Sequence, residues 1–224
     1  MKNAARTVFY TAIGYVLFGA LLFWPAGTFD YWQAWVFLAS LAVLSIPYTV
    51  YLLVEKPEVL DRRIKSGPVA ESRPIQKLAV GGLQLFFLIE MLVAGFDHRY
   101  GWSHVPLWLT VLGLVLASVG LAVSIWVVVQ NSWAAATITV NDGQQLITTG
   151  LYGMVRHPMY SAALMLAMFL PLGLGSYWAL LPVVVVALSV AVRAVDEEAM
   201  LRAELPGYDD YTGAVRYRLV PGVW

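Results

Sequence analysis

The sequence predicts an all-α polytopic membrane protein: one membrane domain of about six hydrophobic helices, the last two a short hairpin, with a C-terminal tail packed back over it. Three observations predict this. Of the 224 residues, 60% are hydrophobic and only 12% charged, whereas soluble domains are about 25% charged. Apolar runs near the ~20 residues that cross a bilayer recur along the chain. With an even number of crossings, nearly all basic residues fall on one side.

The first run, Val8–Trp24, follows Lys2 and Arg6 as a signal peptide would. It ends in Trp24-Pro25-Ala26-Gly27-Thr28, without a small-x-small cleavage pattern, so a retained helix is expected. Tyr31–Val54, Leu78–Phe96 and Pro106–Gln130 are long and nearly clean. Tyr160–Leu174 and Tyr177–Val195 are shorter and interrupted by Pro171, Gly173, Gly175 and Pro182. They read as a hairpin, whose passage through the full bilayer the sequence leaves open.

Six crossings place Lys2, Arg6, Lys56, Arg62, Arg63, Lys65, Arg73, Lys77, Arg156, Arg193, Arg202, Arg216 and Arg218 on one side, with Arg99 alone on the other. The positive-inside rule then puts both termini and both long loops in the cytoplasm of an inner or plasma membrane. Trp24, Trp32, Trp102, Trp108 and Tyr177 sit near span ends, as interfacial aromatics do. Net charge is zero, so no overall field draws nucleic acid. The absence of cysteine removes disulfides, thiolate catalysis and cysteine-ligated metals. No repeat is evident, which argues against an inverted-repeat transporter.

Residues 1–130 carry the four long helices, and residues 131–224 concentrate the polar chemistry. Gly143–Tyr160 reads GQQLITTGLYGMVRHPMY. Pro158 suits the first turn of the following helix, where its missing N–H costs nothing. The open N–H groups of that turn, with Arg156, form a site favouring anions; the blander reading is a basic residue beside the membrane and a helix cap. Arg193 and Glu197 lie four apart on one helical face. On a solvated helix such a pair contributes only a few tenths of a kcal/mol, but at the interface ionisable groups face a cavity or a partner. The tail, with Tyr208, Tyr211, Arg216, Arg218 and Pro221, is too aromatic to hang free.

Read in order, Gly150, Tyr152, Arg156, His157, Pro158 and Tyr160, a short hairpin, Glu197 and Glu198, then Tyr208, Tyr211, Arg216 and Pro221 resemble the isoprenylcysteine carboxyl methyltransferases. Relatives of that family methylate phospholipid amines and thiols. The resemblance runs from about Gln144 to the C-terminus and implies S-adenosylmethionine bound at the cytoplasmic face beneath the tail. By that resemblance Gln144, Gln145, Leu146 and Ile147 line the cofactor pocket, as do Tyr152, the block His157, Pro158, Met159 and Tyr160, and Glu197. Arg193 contacts the substrate, and Arg193 and Glu197 are the catalytic pair. The sequence departs from the pattern at Met159 and Ser161-Ala162, where small residues and glycine are common; that concerns helix packing.

The chemistry agrees. Methyl transfer from a sulfonium needs no proton on the leaving group, and alignment of the reactants lowers the barrier by several kcal/mol. The expected acceptor is the carboxylate of an isoprenylcysteine-like lipid or another lipophilic molecule, held by Arg193 through a bidentate pair. Tyr152 and Tyr160 offer aromatic faces to the sulfonium, and Glu197 accepts hydrogen bonds from the cofactor. A phospholipid amine or small thiol is the alternative acceptor and needs a base, Glu197 or Glu198. A membrane nicotinamide-dependent reductase is a further alternative, because sterol reductases share Arg-His-Pro and the tyrosines, although they are longer. The expected partners are a lipophilic or lipid-modified substrate and membrane lipids, with no nucleic acid and no metal. Glu90, inside the third span, either hydrogen-bonds in the bundle or faces the substrate. The Glu55–Lys77 loop lies on the headgroups or covers the substrate entrance. His98 and His104, in the short outer loop, read as solvated rather than metal-binding.

Overall fold

The computed structural model describes residues 2–64, 67–133 and 145–224, with side chains from Arg6 onward. Gln144 and Lys65 lie outside the described residues. The eight helices found there are α1 (Lys2–Ala26), α2 (Trp32–Glu55), α3 (Pro57–Ile64), α4 (Pro74–Tyr100), α5 (Leu107–Gln130), α6 (Pro158–Gly173), α7 (Val183–Glu204) and α8 (Tyr208–Ala214). The protein is an all-α polytopic membrane protein, as expected.

Five segments are long and apolar enough to span a bilayer: Arg6–Ala26, α2, α4, α5 and Trp178–Glu204. Their outer faces carry exposed apolar side chains such as Val16, Val43, Leu107 and Trp126, which only lipid covers without cost. α6 has 16 residues, a rise of about 24 Å, and so falls short of the hydrocarbon thickness of about 30 Å. The expected hairpin is therefore present, with one short arm. The helix of its second arm continues beyond the apolar run that ends at Val195, as far as Glu204. Ala, Met, Leu and Arg favour helix there, and Pro206 with Gly207, at φ +83°, ends the run.

α4 is the central helix, packing on α1 through Gly95, which faces Pro25 and the Leu22 carbonyl, and on α7 through Gly82, which faces Ser189. α5 and α6 meet backbone to backbone. A Cβ at Gly120 would lie 2.8 Å from the Leu166 nitrogen, and Gly113 sits directly against Gly173; small residues permit this approach. The main core gathers Leu22, Tyr31, Met91, Ala94, Leu170 and Leu174. On the side opposite the polar third, Asp97 accepts hydrogen bonds from the Ser103 amide at 2.7 Å and the Ser176 hydroxyl at 2.5 Å. His98 stacks on Tyr31 at 4.0 Å and contacts the Asp30 carbonyl, so its ring serves packing. Among the described residues no group of three or more His, Asp or Glu side chains is arranged to hold a metal ion.

α3 rests on the bundle, with Val59 and Leu60 packed on Leu52 and Val128. From Gly67 a strap with one 3₁₀ turn, Pro68–Ala70, leads into α4.

Candidate functional site

Gln130, the last residue of α5, holds the turn that presents Tyr152. Its amide donates to the Thr149 carbonyl at 2.7 Å and accepts from the Leu151 N–H at 3.3 Å. Gly150 lies between them at φ +59°, where a Cβ would collide with the Gln130 side chain. The chain then enters α6 with Pro158 in its first turn, as its ring geometry favours.

The tail is stitched to this corner by backbone and charge. The Arg156 and His157 N–H groups donate to the Tyr217 and Arg218 carbonyls, both at 2.9 Å. The Arg156 guanidinium donates to Glu198 at 2.7 Å and to the Val215 carbonyl at 3.1 Å. Glu198 also accepts from His157 Nε2 at 3.2 Å and from Arg218 at 3.1 Å. Of the two readings of Arg156, the anion site does not hold for its side chain: an internal carboxylate already takes its charge, and the residue anchors the tail. Glu198, weighed in the sequence only as a base, is the hub of three cationic or imidazole partners.

Under the tail lies a cavity of about 290 Å³, at the lower edge of small-ligand clefts. The structure brings Gln145, Leu146 and Ile147 to one side of it and Tyr152 beside them. His157, Pro158, Met159 and Tyr160 line it from α6, and Arg193 and Glu197 from α7. Sequence reasoning missed Val80, Leu83 and Gln84 of α4 on the membrane side of this cavity, and Asn131 and Trp133 at the end of α5. No local motif marks them.

Tyr208 is buried and lines the cavity, and its hydroxyl has no hydrogen-bond partner among the described residues. Such orphans are rare and mark a missing partner. Tyr211 instead donates to the Tyr152 carbonyl at 2.7 Å. Burial pushes the Tyr152 hydroxyl up to about 12, with Glu197 adding to the rise and an Asn131 hydrogen bond opposing it. Burial likewise raises Tyr208 and Tyr211, so all three hydroxyls stay protonated at neutral pH.

Arg193 and Glu197 are coupled through Tyr160. Arg193 Nε donates to the Tyr160 hydroxyl at 2.9 Å, which donates to Glu197 at 2.5 Å. The Tyr160 ring lies parallel to His157, 5.4 Å between centroids. Arg193 Nη1 also donates to Glu71 of the strap at 2.8 Å and to Gln76 of α4 at 3.1 Å. Glu71 and Arg193 are both buried. A second pair, Arg73 with Asp196 at 2.7 Å, holds the strap to α7, and a Gln76–Asp196 hydrogen bond holds the start of α4 to it. Glu71 and Gln76 were not anticipated; the only signal was the position of their loop on the polar side. The loop does reach the site, through its second half. Glu90 is buried with neither carboxylate oxygen partnered among the described residues, and it is not among the residues lining the cavity, so it takes up neither of the two placements the sequence left open.

Residues 108–205 match the family model of the phospholipid methyltransferases, which places that stretch in the phospholipid/isoprenylcysteine methyltransferase superfamily. The match begins further upstream than the motif resemblance and takes in α5, consistent with the close α5–α6 contact. The Delta(14)-sterol reductase TM7SF2 of Mus musculus is 38% identical over 94 residues, 39% of this chain and 22% of the reductase. The chain thus spans well under two thirds of that relative's length.

Proposed function

With residues 108–205 matched to phospholipid methyltransferases, we propose that this integral membrane protein transfers a methyl group from S-adenosylmethionine to a lipophilic acceptor at the cytoplasmic face. The observation that carries this reading is the cavity beneath the tail with the orphaned Tyr208 hydroxyl on its wall. The donor set fits the cofactor: a free hydroxyl for a polar group, aromatic faces for a sulfonium, and one partly exposed carboxylate, Glu197, 24% exposed.

When bound, the cofactor supplies an electrophilic methyl on positively charged sulfur. Gln145, Leu146, Ile147 and Tyr152 form one wall for it, and His157, Pro158, Met159 and Tyr160 the other. Glu197, held by Tyr160, places negative charge beside the cation, where a low-dielectric wall strengthens the attraction. Val80 and Leu83 give the acceptor's apolar part an apolar surface. The family resemblance points to an isoprenylcysteine-like carboxylate anchored by Arg193. The Glu71–Arg193 pair favours a different acceptor, a lipid amine or small thiol.

Calorimetric titration of the chain in lipid nanodiscs with S-adenosylhomocysteine tests the reading; saturable binding is expected, and none, with or without added lipid, overturns it. The identity shared with a sterol reductase favours a second reading, a nicotinamide-dependent reductase. Oxidation of a reduced nicotinamide on adding a sterol or enone would establish that one instead.

A further inference from the structure

The arginines on the cavity wall are both engaged from inside the protein: Arg156 with Glu198 at 2.7 Å and Arg193 with Glu71 at 2.8 Å. Glu197, by contrast, faces the cavity with a neutral hydroxyl as its close partner, the His157 nitrogen standing 3.7 Å away. The acceptor's end of the site is therefore neutralised at Arg193 and anionic at Glu197. A carboxylate entering there loses its water beside the Glu197 carboxylate, while the Arg193 charge that would offset this is already balanced by Glu71, a combination that disfavours the charged form. An ammonium meets the opposite field.

Resting on the methyltransferase reading above, we propose that Glu71 sets the charge of the acceptor: by holding Arg193 it turns the site away from carboxylates and toward a lipophilic amine. The step balances without another reagent. The acceptor ammonium gives a proton to the Glu197 carboxylate, and its nitrogen lone pair forms the new C–N bond. The S–CH₃ bond of the donor breaks with its electron pair returning to sulfur. Glu71 is a specificity-determining residue here; it acts through Arg193 and touches no reacting atom.

The experiment compares binding of dodecylamine and dodecanoate, matched in chain length, to the full chain in nanodiscs by calorimetry. S-adenosylhomocysteine is titrated separately. The wild type is expected to bind the amine at least tenfold more tightly. Glu71→Gln, which puts a neutral amide of the same shape in place of the carboxylate, is expected to reverse that preference while S-adenosylhomocysteine affinity stays within about twofold. Glu71→Asp is expected to keep the wild-type preference. Because breaking one side of a buried pair threatens folding, Glu71→Gln combined with Arg193→Gln is the second variant, and it must still exclude dodecanoate. Equal binding of both probes by the wild type, or an unchanged preference in folded Glu71→Gln, overturns the proposal. The probe pair reads acceptor charge even where S-adenosylhomocysteine fails to bind, so that failure counts against the methyltransferase reading alone.

Discussion

The guanidinium of Arg156 lies 2.7 Å from the carboxylate of Glu198, with side-chain exposures of 7% and 4%. Forty-two residues of chain separate them, and this pair decides whether the tail closes over the cavity. Removing one partner of a buried pair costs about 3–5 kcal/mol, because the other is left charged and alone. Arg156→Ala is thus expected to lower the melting temperature and expose the Leu205–Trp224 segment to limited proteolysis. A tail as resistant as the wild type's would refute the anchoring role.

Tyr208 bears a hydroxyl that makes no hydrogen bond among the described residues. Tyr208→Phe is expected to leave thermal stability unchanged or slightly raised, since it removes an unsatisfied polar atom. If that hydroxyl bonds the bound cofactor, the same change weakens S-adenosylhomocysteine by roughly 0.5–1.5 kcal/mol. Calorimetry on the two proteins side by side reads both effects.

Glu90 stands buried without a partner among the described residues. A carboxyl in such a place costs stability in either protonation state. Glu90→Met, similar in volume, is expected to raise the melting temperature while leaving S-adenosylhomocysteine binding intact. A fall in stability would mean the carboxyl has a partner after all.

The chain has no cysteine, so single cysteines report sidedness cleanly. Val223→Cys, at the exposed end of the tail, and His104→Cys, in the exposed loop before α5, are expected to react from opposite faces of sealed vesicles with a membrane-impermeant maleimide. Labelling of both from the same face would refute the inferred orientation.

Helix count, the short hairpin and the returning tail were legible because hydropathy and basic-residue placement are properties of the chain itself. The Arg193–Glu197 face was legible for the same reason: a spacing of four fixes it. Glu71 was not, because its partner lies 122 residues away and nothing local encodes that meeting. The apolar run that ends at Val195 gives no sign that Glu198 is buried; in the fold its charge is met by Arg156 and Arg218, partners that nothing local encodes. Glu198 itself was under-read for want of those partners.

Gly113 and Gly120 leave no slack between α5 and α6. The two helices therefore move as one lever, with one end at the outer loops and the other at Gln130 and His157. A force on the far face, from a bound lipid or a neighbouring protein, would reach the Tyr152 turn as displacement rather than being absorbed by side-chain play along the way.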